Sequence, residues 1–323
     1  MASSRPFCAL QEAGRLYLSA QSLRTGVPKI LMFSGSLVAI VTPMRADGSI
    51  DPAAWARLID WHLESGTSGL VVGGTTGESA TLTDSELWEL AELACSRARH
   101  RLSIIVGVGS SSTASCIERA RRFSQLPIDG LLAVTPAYNR PPQEGLYRHF
   151  AAVAEAATKP VILYNVPART AVDMLPATVG RLSQLEPIVA VKEAVPGAER
   201  VRELIEACRE GFTVLSGDDA TAREAILAGA RGVISVTANV APRAMAAMVA
   251  AALLGDRQSA ARLDGPLAAL HNGLFIEANP IPVKWALAQA GRIESGIRLP
   301  LTELSESHRP AVLAALREAA ALQ

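Results

Sequence analysis

The chain has 323 residues, enough for one large domain or two ordinary ones. Lys plus Arg and Asp plus Glu stand at 31 each, so no net charge draws polyanions, which argues against nucleic acid as a partner. Apolar residues make up 49% but aromatics only 4%, which calls for a core of Ala, Val, Leu and Ile and suits parallel strands under helices.

Residues 1–31 are rich in Ser and Arg, hold a single acid, Glu12, and precede a second methionine, Met32. They do not read as core. A transit peptide, a start codon placed too far upstream and a disordered tail all give this composition. From Ser36 a repeat begins, in which a short Val/Ile/Leu run closes on Gly, Thr or Pro and a longer amphipathic stretch follows. The runs are SLVAIVTP from Ser36, GLVVGG from Gly69, SIIVGVG from Ser103 and DGLLAVTP from Asp129, then PVILYNVP from Pro160, IVAVKE from Ile188, TVLSGDD from Thr213 and GVISVT from Gly232. Nearly continuous apolar character over four to eight residues marks strands buried on both faces. Their spacing of 19 to 34 residues leaves room for one crossover helix each.

Helix starts are visible between the runs. Asp51-Pro52 precedes AAWARLIDWHL, and Thr83 stands three residues before Glu86 at the head of SELWELAELACSRA, a capping-box pattern. Eight equal β/α units predict a closed (β/α)8 barrel of the α/β class over residues 32–255, since open doubly wound sheets seldom use eight equal repeats. Beyond Gly255 the strand signal stops. Residues 256–323 are expected to form a helical extension with helices over 260–270, 283–290 and 309–322.

Cys8, Cys95, Cys116 and Cys208 are far apart and make no C-x-x-C pair, so they read as reduced thiols of a cytoplasmic protein. No apolar run approaches about 18 residues, which argues against a transmembrane helix. His62, His100, His149, His271 and His308 show no ligand spacing, and no metal is expected.

In a barrel of this kind the active site lies at the C-terminal ends of the strands. The residues there are Thr75, Thr76, Tyr138, Tyr164, Lys192, Gly217 and Ser235. Only four of the 31 basic residues are lysines, so Lys192 at the end of IVAVKE stands out. Alternation along the strand turns Glu193 away from it, and an apolar setting favours the neutral amine that attacks a ketone. A Schiff base is one reading; a lysine salt-bridged at a strand end is the other. Tyr138 and Tyr164 each follow or close an apolar run, and a phenol both donates and accepts a hydrogen bond, as a proton relay needs; core tyrosines do the same without catalysis. The loop GGTTGES, Gly73–Ser79, offers two hydroxyls and backbone N–H groups that can hold a carboxylate, or is a plain strand-to-helix turn. Arg169 can grip a second carboxylate in two bonds, although with 27 arginines a solvated one is the default. Asp218 and Asp219 read as acids capping the following helix. GVGSSS lacks the third glycine of a dinucleotide fingerprint.

Taken together, GTTGESATL, VTPAYNRPPQEGLY, ILYNVPART, VKEA, LSGDDA, GVISVTANV and NPIPVKWA resemble the dihydrodipicolinate synthase family, from about Met32 to the C-terminus. Parts of these motifs are shared with the wider superfamily of pyruvate-dependent aldolases that includes N-acetylneuraminate lyase; the paired threonines with YNVPART favour the synthases. The resemblance implies condensation of pyruvate with L-aspartate 4-semialdehyde to 4-hydroxy-tetrahydrodipicolinate, in the diaminopimelate route to lysine, with no cofactor beyond the covalent imine on Lys192. It implies a proton relay of Thr75, Tyr138 and Tyr164, with Tyr138 entering the site of a neighbouring subunit. Thr76 would hold the pyruvate carboxylate, Gly217 and Ile234 would line the pocket, and Arg169 would bind the semialdehyde carboxylate. The implied assembly is a homotetramer of two tight dimers. Lysine-inhibited members hold lysine with a tyrosine just before the relay tyrosine, an asparagine, an acid and histidines. Ala137, Ser111, Ser115, Asp84 and Leu87 stand at those positions here, which implies weak or absent feedback inhibition. The alternatives are another pyruvate-dependent lyase acting on a sugar acid, with Arg169 as the discriminating residue, and a barrel without activity.

Overall fold

The computed structural model describes residues 33–321. Eight strands follow one another in chain order: β1 Gly35–Ala39, β2 Gly69–Val72, β3 Ser103–Gly107, β4 Gly130–Val134, β5 Val161–Asn165, β6 Ile188–Glu193, β7 Thr213–Ser216 and β8 Gly232–Ser235. Each pairs in parallel with its sequence neighbour, and β8 pairs with β1 to close the barrel. All eight apolar runs of the sequence are strands, and the fold is the expected (β/α)8 barrel with further helices after Gly255.

Alternation sorts each strand into two faces. Val191 of β6, Leu163 of β5 and Val233 of β8 join the core packed under the helices, with Trp55, Phe123 and Phe150 among its few aromatics. Their neighbours Lys192, Tyr164 and Ile234 therefore face the barrel interior. The helices begin where the capping signals stand. Asp51 accepts from the N–H groups of Ala53 and Ala54, both at 3.0 Å, ahead of helix Pro52–Ser65. Thr83 and Glu86 form the reciprocal box of helix Asp84–Ala98, at 2.8 Å and 3.2 Å.

Two expectations change. The helix placed over 260–270 is two helices, Arg257–Asp264 and Ala268–Gly273, joined by a 3-10 turn at Gly265–Leu267. Pro266 has no N–H to give to the preceding turn and its ring crowds the carbonyl there, so one continuous α-helix is interrupted. Asp219 does not cap the following helix. Its Oδ2 accepts from the N–H groups of Val236 and Thr237, both at 2.8 Å, and so ties the loop after β7 to that after β8. Asp218 alone serves the start of helix Ala222–Leu227, accepting from the N–H and hydroxyl of Thr221 at 3.0 Å and 2.7 Å.

Candidate active site

Register across β5 and β6 sets Tyr164 opposite Lys192. Both are buried, and the lysine Nζ lies 4.4 Å from the centre of the tyrosine ring. On the other side of the lysine a Cβ placed on Gly217 would stand 3.0 Å from Lys192 Cε, so the absence of a side chain there leaves room for the amine's stem. Among the described residues no carboxylate ion-pairs with Lys192. Glu193 is turned to the opposite face, as alternation requires. It accepts from Asn165 Nδ2 at 3.1 Å and 3.0 Å and from the Val195 N–H at 2.7 Å. Burial pushes its carboxyl up to about 7 despite these donors. The Asn165 amide also reaches Asp173, at 2.7 Å, which pairs with Arg200 at 2.6 Å.

The loop after β2 is bent back on itself by Gly77 N–H to Gly74 C=O at 3.0 Å and Glu78 N–H to Thr75 C=O at 3.1 Å. Gly73 carries φ +63°, a conformation that favours glycine, and a Cβ there would stand 2.3 Å from the tip of the Leu87 side chain, which would have to move. Thr75 is half-buried and Thr76 fully buried. Glu78 is held in the left-handed region at φ +58° by contacts of both its carboxylate and its carbonyl. Its carboxylate pairs with the buried Lys284 and accepts from the Arg298 N–H at 3.1 Å, while its carbonyl accepts from the Thr81 N–H at 3.0 Å. Thr76 Oγ1 accepts from Asn279 Nδ2 at 2.9 Å. Asn279, Lys284 and Arg298 thus fasten this loop to the segment after the barrel, and the sequence reading assigned none of them a role. The available signal was Lys284 itself, one of only four lysines, inside the apolar stretch NPIPVKWA.

Tyr138 stands in the loop between β4 and helix Gln143–Ala156. It carries φ +72° at the centre of a three-residue turn closed by Asn139 N–H to Ala137 C=O at 2.9 Å, a strained conformation for a residue with a side chain. Ser111 holds the turn from below, its hydroxyl donating to Ala137 C=O at 2.9 Å and its carbonyl accepting from Asn139 Nδ2 at 3.1 Å. Tyr138 is 96% exposed. Arg169 is exposed too, in the single turn Pro167–Thr170, and donates from Nη2 to the Asn279 carbonyl at 3.3 Å. Buried Ile234 sits in β8 beside Leu37 of β1. The histidines are scattered: His62, His149 and His271 each meet a threonine hydroxyl at 2.9 Å.

A lysine thus faces the interior of a closed (β/α)8 barrel at the C-terminal end of its sixth strand, the end where barrel enzymes carry their active sites. Comparison with known proteins is specific. The family model of the dihydrodipicolinate synthetase family matches residues 32–319, and the chain belongs to that family. It is 53% identical over 291 residues to the 4-hydroxy-tetrahydrodipicolinate synthase of Alkalilimnicola ehrlichii, spanning 90% of this chain and 100% of that protein. The synthase of Methylococcus capsulatus is equally similar, at 53% identity over 291 residues. Among solved structures, the chloride-inhibited dihydrodipicolinate synthase of Acinetobacter baumannii complexed with pyruvate superposes with a TM-score of 0.87 at 48% identity, covering 89% of this chain and 99% of that one.

Proposed function

We propose that the chain condenses pyruvate with L-aspartate 4-semialdehyde to 4-hydroxy-tetrahydrodipicolinate, the step that opens the diaminopimelate route to lysine. The observation that carries this reading is Lys192, buried in the barrel interior beside Tyr164, with no carboxylate among the described residues to hold it as a strut. Its amine attacks the keto carbon of pyruvate and water leaves, giving an imine. A methyl proton is then lost, and the enamine carbon bonds to the aldehyde carbon of the semialdehyde. The amino group of the adduct displaces Lys192 from the imine carbon, closing the ring and freeing the enzyme. The imine makes pyruvate its own electron sink, so no metal or organic cofactor enters the chemistry.

Tyr164 adjoins the amine and serves as the inner member of a relay with Thr75 and Tyr138. Thr76 holds the pyruvate carboxylate, Gly217 and Ile234 line the pocket, and Arg169 receives the semialdehyde carboxylate. The outward ring of Tyr138 on its strained turn suits a residue that enters a neighbouring subunit, within a homotetramer of two tight dimers in the cytoplasm. Feedback by lysine is weak or absent. Ala137 offers no ring, and the Asp84 carboxylate is taken by Arg119 Nε at 2.8 Å. Lysine that suppressed turnover below millimolar concentration would overturn that point.

The test is product formation from pyruvate and the semialdehyde, with sugar-acid lyase substrates alongside and borohydride trapping of pyruvate on Lys192 in parallel. Turnover confined to the semialdehyde supports the reading. Trapping without that turnover leaves the imine and refutes the acceptor, making a sugar-acid lyase the better description.

A further inference from the structure

Asn279 touches both residues to which the proposed function gives a substrate carboxylate, and it does so with two different parts of itself. Its side-chain Nδ2 donates to Thr76 Oγ1 at 2.9 Å, and its main-chain carbonyl accepts from Arg169 Nη2 at 3.3 Å. It is buried, as is Thr76, and it approaches from 203 residues further along the chain. A threonine hydroxyl has one hydrogen and two lone pairs. When a lone pair is occupied by the Asn279 amide, the hydrogen is left free to donate to another acceptor, such as a carboxylate. The amide's own oxygen, Asn279 Oδ1, has no hydrogen-bond partner among the described residues although it is buried. Burying an amide with an unmatched carbonyl is costly, so the side chain is a poor choice as mere packing.

We infer that Asn279 is a positioning residue for the pyruvate subsite: its amide orients the Thr76 hydroxyl as a donor toward the pyruvate carboxylate. Its carbonyl separately anchors Arg169, so the side chain governs one substrate and the backbone the other. The inference rests on the functional reading above.

The experiment uses the whole enzyme and follows borohydride-trapped pyruvate on Lys192 against pyruvate concentration, a readout that needs no aldehyde, together with steady-state KM for both substrates. Asn279→Ala should raise the pyruvate concentration for half-trapping and the pyruvate KM about fivefold, the worth of one neutral hydrogen bond, with the semialdehyde KM unchanged. Thr76→Val should match or exceed that shift, and Asn279→Ala added to Thr76→Val should change nothing further. Asn279→Asp, close to isosteric and therefore informative if the alanine variant folds poorly, replaces a donor by an anionic acceptor and should raise the pyruvate KM more than alanine does. Wild-type enzyme that traps normally, with Asn279→Ala indistinguishable from it or with effects that multiply in the double variant, overturns the inference alone. Wild-type enzyme that traps no pyruvate overturns the functional reading and this inference with it.

Discussion

Lys192 and Lys284 are two of only four lysines, and they are 5% and 2% exposed, yet their surroundings differ in kind. Lys284 meets the Glu78 carboxylate in an ion pair hidden from water. Burial pulls its ammonium below the ordinary lysine range while Glu78 works against that pull, and the pair holds a left-handed turn in place. Lys192 meets an aromatic face and a glycine, and the carboxylate next to it in sequence is bound across the strand by Asn165. Depth of burial does not separate the strut from the nucleophile that the proposed function makes of Lys192. The presence or absence of a partner base does.

The largest effect that tests this contrast is chemical. Lys192→Ala should lower turnover at least about a thousandfold and abolish borohydride trapping of pyruvate, with circular dichroism unchanged. The two Lys→Met variants then separate the roles by stability. Lys284→Met strands Glu78 as a buried charge and should cost about 3–5 kcal/mol in urea denaturation, much of it recovered by adding Glu78→Gln. Lys192→Met orphans no carboxylate and should cost clearly less; equal losses would break the comparison.

The smallest effect concerns Glu193. Its carboxyl sits at about 7 in the folded chain against 4.5 ordinarily, so between those values the folded state holds a proton that the unfolded state has released. Stability from this group is greatest below pH 4.5 and falls as pH rises toward 7. Glu193→Gln should flatten that slope by about 3 kcal/mol, read as the difference from wild type. The difference is needed because His62, held down at about 3, and His149, at about 4, slope the other way: burial keeps them neutral, and stability is lost as pH falls below 6.5.

What was legible in the sequence was local. Apolar runs such as GLVVGG declare a strand within six residues, and Thr83 with Glu86 declares a helix start within four. Lys192 was legible for the same reason, since alternation along one strand sets both its face and that of Glu193. The ties between Thr76 and Asn279 and between Glu78 and Lys284 join residues more than 200 positions apart, and no periodicity relates such pairs. Asp219 was misread because an acid before a helix usually caps it, and only the closed ring brings the Val236 and Thr237 N–H groups to its carboxylate. The strained turn at Tyr138 was invisible too: its sequence, Ala137-Tyr138-Asn139, contains no glycine to announce a left-handed residue.

The fastening of the β2 loop by Asn279, Lys284 and Arg298 also orders events in time. A ribosome releases the eight strands before it releases any of these three residues. Until they emerge, the loop after β2 has no tether to the segment after the barrel. Under the proposed function, the Asn279 contact to Thr76, and any pyruvate affinity it adds, can form only after Asn279 has emerged.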